Sequence, residues 1–152
     1  MKMSKAYKGN IVVKYNEVKE PKQVKIRSSR DCFNEFRKFY GVDVHVKEAF
    51  VVMYLSQSND IICIDTDTIG SISSTSVEIT SILRKAIAIG CRSIIVAHNH
   101  PSGNKNPSEA DRHMTKKLKN ACALLDISVL DHVIITDDSY YSFADNGERS
   151  LS

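Results

Sequence analysis

Apolar residues recur along the chain with two different spacings, which alternate from one segment to the next. Short stretches dominated by apolar residues, typical of buried strands, occupy residues 50–55, 61–64, 93–97 and 129–136. A spacing of three and four residues, typical of helices that pack by one face, appears after residues 28, 78 and 108. Because helical and strand patterns alternate, the sequence predicts an α/β fold with a mixed β-sheet sandwiched by helices.

The ends of the predicted helices carry capping residues. Ser28 or Ser29 is expected to cap the first helix, and Gly41 to end it. Gly90 is expected to end the second, and Ser108 to cap the third. The predicted buried positions of the first helix are Cys32, Phe33, Phe36 and Tyr40, and those of the third are Met114, Leu118, Ala121, Cys122 and Leu125.

The remaining segments complete the predicted organisation. Residues 11–15 are predicted to form a short strand, residues 56–60 a hairpin turn, and residues 70–76 a loop or irregular edge strand. A last strand is expected at 140–143. We expect residues 1–44 to form a strand–helix extension that packs on a main domain of residues 45–152.

Composition and charge exclude several classes of protein. Hydrophobic residues make up 42% of the chain and charged residues 26%, which excludes a disordered chain. No apolar run is long enough for a membrane span, and the amino-terminal residues do not resemble a secretory signal. The four cysteines form no CxxC pair, which argues against a thiolate zinc site and is compatible with a reducing cytoplasm.

Charge is distributed unevenly along the chain. Residues 1–47 hold 12 Lys and Arg against 5 Asp and Glu, a net charge of +7, whereas residues 48–152 hold 9 against 13, a net charge of −4. A basic segment at 14–38 is therefore either solvated surface or a contact for nucleic acid. No dense basic run occurs, and the sequence pI of about 8.6 favours the first interpretation.

The most informative chemistry lies where the strand at 93–97 ends. His98 and His100 are separated by one residue, so their side chains project to the same side of an extended backbone. Asp111 follows in the first turn of the next predicted helix, from which its carboxylate can reach the imidazoles. Two nitrogens and one carboxylate oxygen form a three-ligand site with a fourth position for water, the arrangement of catalytic zinc. Mn²⁺ or Fe²⁺ would also fit such a site.

Each of these residues also has a structural interpretation. His100 precedes Pro101 and could belong to a loop turn, and Asp111 stands three residues after Ser108, as in a capping box. The letters HNH alone do not indicate an HNH nuclease, because that site spreads over a longer ββα unit. A nucleobase deaminase is disfavoured too, because the chain has neither H-x-E nor PCxxC. The metal interpretation rests on the coincidence of a strand end, an HxH pair and a first-turn Asp.

The spacing H-x-H-x7-S-x2-D, matched by His98, His100, Ser108 and Asp111, resembles the JAMM signature of the JAB/MPN metalloenzymes. The segment from His98 to Asp111, with the later residues 130–135 and 141–145, is similar to the RadC branch of that superfamily. The resemblance implies a JAB/MPN fold, which has a cytidine-deaminase-like architecture. Longer RadC proteins carry a helix-hairpin-helix DNA-binding region, and this chain resembles the short form without it.

The resemblance also implies roles for individual residues. His98, His100 and Asp111 would hold zinc, whose bound water has a pKa near ~7. Glu48 would act as general base and later protonate the leaving amine. The Ser108 hydroxyl would donate to the oxyanion of the tetrahedral intermediate. Asp131 and His132 are expected to support the ligands from behind.

Two hypotheses for function follow. The first is a cytoplasmic zinc metallopeptidase or related metallohydrolase that cleaves an amide or isopeptide bond in a peptide or protein substrate. The second is a DNA-repair or mobile-element accessory module, as the family name suggests, that binds nucleic acid through the basic segment at 14–38. Neutralising Lys22, Lys25, Arg27 and Arg30 would distinguish them through loss of salt-sensitive DNA affinity. No membrane partner is expected.

Overall fold

The computed structural model describes residues 24–70 and 77–152. The predicted strand at 11–15 and most of the predicted loop at 70–76 lie outside these ranges. The elements in chain order are α1 (Ser29–Tyr40), a 3-10 helix (Gly41–His45), β1 (Ala49–Leu55), β2 (Ile61–Ile69), α2 (Ile79–Ile89), β3 (Ser93–Asn99), α3 (Glu109–Ala123), β4 (Ser128–Ile135) and β5 (Tyr140–Ser142).

The five strands form one mixed sheet in the order β2-β1-β3-β4-β5. β3 and β4 are parallel and are connected through α3, whereas every other neighbouring pair is antiparallel. The hairpin of β1 and β2 is therefore as predicted, but β2 continues beyond residue 64 to Ile69. Its second half alternates Asp and Thr, and such polar residues are tolerated because β2 is an edge strand and is half-buried.

Helices cover both faces of the sheet, which confirms the predicted α/β sandwich. The apolar side of α1 packs against one face, where Phe33 and Phe36 join Val51 and Met53 in one cluster. On the other face, α2 and α3 enclose a second cluster that includes Val52, Ile82, Val96 and Leu118. β1 and β3 are buried on both faces, which explains why they appear in the sequence as continuous apolar runs.

The predicted caps position the helices. The hydroxyl oxygens of Ser28 and Ser108 accept hydrogen bonds from the backbone N–H groups of Asp31 and Asp111. Gly90 ends α2 with a φ of +71°, a left-handed conformation that favours glycine. The prediction that Leu125 is buried is wrong: α3 ends at Ala123, and Leu125 lies beyond it with 42% of its surface exposed.

Within residues 24–70 and 77–152, no helix combines the length and the apolar character that a membrane crossing requires. The segment before β1 packs on the sheet through Ile26 and the apolar side of α1. The division of the chain at residue 44 stays a prediction.

Candidate metal centre

The two histidines of the HxH motif lie at the carboxyl end of β3. His98 belongs to the strand and is only 1% exposed, while His100 is the first residue after it. The loop thus begins two residues later than the apolar run suggests, because the β3 ladder continues to Asn99. The Nε2 atoms of His98 and His100 are 2.9 Å apart.

Asp111 approaches this pair from the first turn of α3. Its Oδ2 accepts two hydrogen bonds from Ser108, one from the backbone N–H and one from the hydroxyl, both 2.7 Å long. Its Oδ1 lies 3.3 Å from Nε2 of His98. The capping box therefore orients the carboxylate, with one oxygen held by Ser108 and the other facing the histidines.

The donor atoms present fit a divalent metal ion. Nδ1 of His100 lies within hydrogen-bond distance of the carbonyl oxygen of Asn104; a carbonyl only accepts, so Nδ1 carries the hydrogen and Nε2 keeps a lone pair. Burial lowers the pKa of His98 to about 4, so this ring is neutral. One ligand atom each from His98, His100 and Asp111 lies within 4.8 Å of the others. Such converging lone pairs repel one another unless a cation lies between them, and this donor set suits zinc.

His132 and Thr115 lie behind His98, away from the donor atoms. Nδ1 of His98 is 2.7 Å from Nε2 of His132, whose Nδ1 is 2.6 Å from Oγ1 of Thr115. The His132 ring is fully buried and stacks on Phe143, and burial holds its pKa well below the usual value. His132 thus contacts a candidate ligand directly, and its expected support of metal binding stays a prediction. Thr115 was not predicted as a site residue from the sequence, although it stands four residues after Asp111 on the same helix face.

The hydrogen bonds of Asp131 are made with groups other than the candidate ligands. Its Oδ1 accepts the backbone N–H groups of His132 and Ala144, and its Oδ2 accepts the hydroxyl of Ser142 at 2.6 Å. Burial raises the pKa of this carboxyl group, which these three hydrogen bonds counteract. Asp131 therefore supports the backbone of His132 and the turn after β5, and an influence on the metal centre stays a prediction.

Glu48 lies immediately before β1, next to the strand that carries the histidines. In the antiparallel register, Phe50 of β1 is paired with His98 of β3. Continuing this register by two residues brings Glu48 opposite His100, on the same face of the sheet. Glu48 is half-buried and lines an open cleft of about 470 Å³ together with Pro101 and Ser102, which follow His100.

The Ser108 hydroxyl has only one hydrogen, which it donates to Oδ2 of Asp111. Its oxygen accepts the backbone N–H of Asp111 at 3.1 Å. Donation to an oxyanion, as the resemblance implies, would require Ser108 to give up its bond to the Asp111 carboxylate. That role stays a prediction.

Basic side chains of α1 make contacts within the chain. Arg37 forms an ion pair with Asp137, and Lys38 pairs with Glu35 in the same helix. The Arg30 guanidinium lies over the ring of Tyr140, 5.0 Å from its centroid. The first part of the basic segment, up to residue 23, lies outside the described residues. Nucleic-acid binding through this segment stays a prediction.

Comparison with known proteins identifies relatives of this chain. A UPF0758 protein of Flavobacterium johnsoniae is 42% identical over 123 residues, which are 81% of this chain and 53% of the relative. The UPF0758 protein YfjY of Escherichia coli is 43% identical over 101 residues, which are 66% of this chain and 63% of the relative. The chain thus spans about half to two thirds of the length of these relatives. The model of the RadC-like JAB domain matches residues 26–148, and the chain therefore belongs to the RadC-like JAB domain family.

Proposed function

We propose that this chain is a zinc-dependent hydrolase that cleaves an amide or isopeptide bond. The observation that carries the proposal is the convergence of Nε2 of His98, Nε2 of His100 and Oδ1 of Asp111. Two imidazoles and one carboxylate leave a coordination position for water or substrate, as in catalytic rather than structural zinc sites.

Glu48 supplies the acid–base chemistry in this proposal. A zinc ion held by His98, His100 and Asp111 would lower the pKa of a water molecule toward about 7 and polarise a carbonyl group. Glu48 accepts the proton of the attacking water and then transfers it to the departing amine. Its place in the cleft with Pro101 and Ser102, opposite His100 in the register, supports this role.

The remaining residues hold the ligands in place. Ser108 fixes Oδ2 of Asp111, so that Oδ1 stays directed at the imidazoles. Asn104 fixes the ring of His100 through its backbone carbonyl. Because β3, α3 and the loop between them belong to one β–α–β unit, the centre is assembled from one continuous segment of the sequence.

The proposal is tested by cleavage of a library of peptides and isopeptide-linked peptides by zinc-loaded protein. We expect wild-type protein to cleave at least one class of amide bond. Glu48→Gln keeps the shape of the side chain and removes its charge, so we expect normal zinc content and a rate lower by about 10²–10⁴-fold.

Glu109→Gln is the matched control, because Glu109 lies in the first turn of α3 with a side chain that is 90% exposed. It should cleave at the wild-type rate. A Glu48→Gln protein that cleaves as fast as wild type would show that a different residue acts as the general base. A zinc-loaded wild-type protein that cleaves no member of the library would contradict the hydrolase proposal.

A further inference from the structure

A chain of hydrogen bonds connects two of the candidate metal ligands through Thr115 and His132. It runs from the backbone carbonyl of Asp111 to the hydroxyl of Thr115, then to Nδ1 and Nε2 of His132, and ends at Nδ1 of His98. The three links are 2.6, 2.6 and 2.7 Å long. His98, Thr115 and His132 are at most 1% exposed, so water does not compete for these bonds.

The direction of donation along these hydrogen bonds is fixed at the Asp111 end. The carbonyl of Asp111 cannot donate, so the single hydroxyl hydrogen of Thr115 must point to it. The Thr115 oxygen then meets His132 as an acceptor, and Nδ1 of His132 must carry a hydrogen. In a neutral ring this leaves Nε2 of His132 as an acceptor, which requires a hydrogen on Nδ1 of His98.

We infer that Thr115 and His132 set the tautomer of His98, keeping its Nε2 free of hydrogen and available to a metal ion. A ligating histidine usually donates its second ring N–H to a carboxylate, a backbone carbonyl or water, and each of these accepts without further constraint. Here the acceptor is another imidazole, and either of its two nitrogens can carry the hydrogen. The hydrogen bond with Thr115 decides which nitrogen does. Thr115 and His132 are thus positioning residues, and this inference rests on the proposed metal site but not on hydrolysis.

The opposite direction of the chain has an identifiable cost. If His132 carried its hydrogen on Nε2, it would donate to His98, which would then carry its hydrogen on Nε2 and donate it to Nε2 of His100. This gains one hydrogen bond in the metal-free protein but removes the lone pair that a metal ion needs. The Thr115 hydroxyl would have to point at His132, leaving two oxygens 2.6 Å apart without a hydrogen between them. The repulsion between these two oxygen atoms favours the first arrangement.

Thr115→Val removes the hydroxyl with little change of shape and tests the inference directly. Nitrogen-15 NMR of the imidazoles in metal-free protein identifies the tautomers, and competition with a chelating dye gives the zinc affinity. We expect wild-type His98 and His132 to carry hydrogen on Nδ1. In Thr115→Val we expect both rings to shift toward the Nε2–H form, and zinc affinity to fall by about 10–100-fold.

Two further variants separate this effect from general damage to the core. Thr115→Ser restores the hydroxyl and should keep the wild-type affinity. Thr136→Val removes another buried threonine hydroxyl, one that bonds to the backbone of Ser139 and to none of the candidate ligands, and should leave zinc affinity and tautomers unchanged.

His132→Phe provides a second test, because it keeps a ring beside Phe143 and removes the acceptor for His98. We expect it to lower zinc affinity by a similar factor. Wild-type tautomers and wild-type affinity in Thr115→Val would overturn the inference. Failure of wild-type protein to bind zinc would instead contradict the proposed function, and the tautomers of the metal-free protein would still test the inference.

Discussion

The side chain of Asn99, which stands between His98 and His100, accepts a hydrogen bond from the backbone N–H of Ala49 at 2.7 Å. Its amide nitrogen donates to the backbone carbonyls of Val44 and Lys47, both at 2.8 Å. These groups lie on either side of Glu48. Through strand alternation, the residue between the ligands therefore faces the other side of the sheet and fixes the segment that carries the proposed general base.

Replacing Asn99 should affect stability and acid–base chemistry but not metal binding. Asn99→Ala leaves buried backbone groups without partners, so the free energy of unfolding should fall by about 1–3 kcal/mol. Urea denaturation measures this change, and zinc content should stay at the wild-type level. Asn146→Ala, which removes one hydrogen bond from an exposed asparagine, should cost about 0.5 kcal/mol or less. Equal decreases in the free energy of unfolding of both variants would show that Asn99 stabilises the protein no more than an exposed asparagine does.

Glu148 should contribute stability that depends on pH. Arg112 donates two hydrogen bonds to its carboxylate and Tyr141 donates one, and Arg112 holds the pKa of Glu148 below its usual value of 4.5. A lowered folded-state pKa means that the stabilisation is present above the unfolded-state pKa and is lost as the pH falls through the folded-state pKa. Glu148→Gln should therefore lower the free energy of unfolding at pH 7 by about 0.5–1 kcal/mol.

Urea midpoints of both proteins, measured from pH 7 down to about pH 3, check this prediction. The difference between wild type and Glu148→Gln should shrink at the acid end. Glu109→Gln is the matched control, since Glu109 pairs with the same arginine from a side chain that is 90% exposed. A difference that grows on acidification would show that the ion pair is not its source.

The cysteines should differ in reactivity. Burial raises the pKa of Cys32 and of Cys122 to about 12, and Cys91 is also buried. Cys63 lies half-buried on the edge strand β2. Native protein should therefore react with a thiol reagent first at Cys63, and all four thiols should react in urea. A fast phase that persists in Cys63→Ser would contradict this assignment.

The proximity of His98, His100 and Asp111 could be predicted because the information is local. An HxH pair in an extended backbone and an Asp beside a helix cap need only the periods of strand and helix. The length of β2 could not be predicted in the same way, because its Asp and Thr residues are stabilised by an edge position that only the assembled sheet defines. The burial of Leu125 was predicted wrongly because the apolar spacing continues past the point where α3 ends.

The contacts of Thr115, His132 and Asn99 depend on tertiary structure more than the positions of the candidate ligands do. Thr115 and His132 are 17 residues apart and meet only because α3 packs over β4. A threonine inside a helix and a histidine inside a strand carry no signal that they are partners. Asn99 could be assigned to the opposite face by alternation, but its three acceptor and donor partners belong to a segment about 50 residues earlier in the chain.

The zinc content of purified protein, determined by elemental analysis for wild type and for ligand variants, tests the central claim most directly. We predict about one zinc per chain in wild type, and loss of stoichiometric zinc in His98→Ala, His100→Ala and Asp111→Ala. His113→Ala, which changes an exposed histidine of α3, should retain the metal. Full zinc occupancy in both His98→Ala and His100→Ala would contradict the metal centre described above.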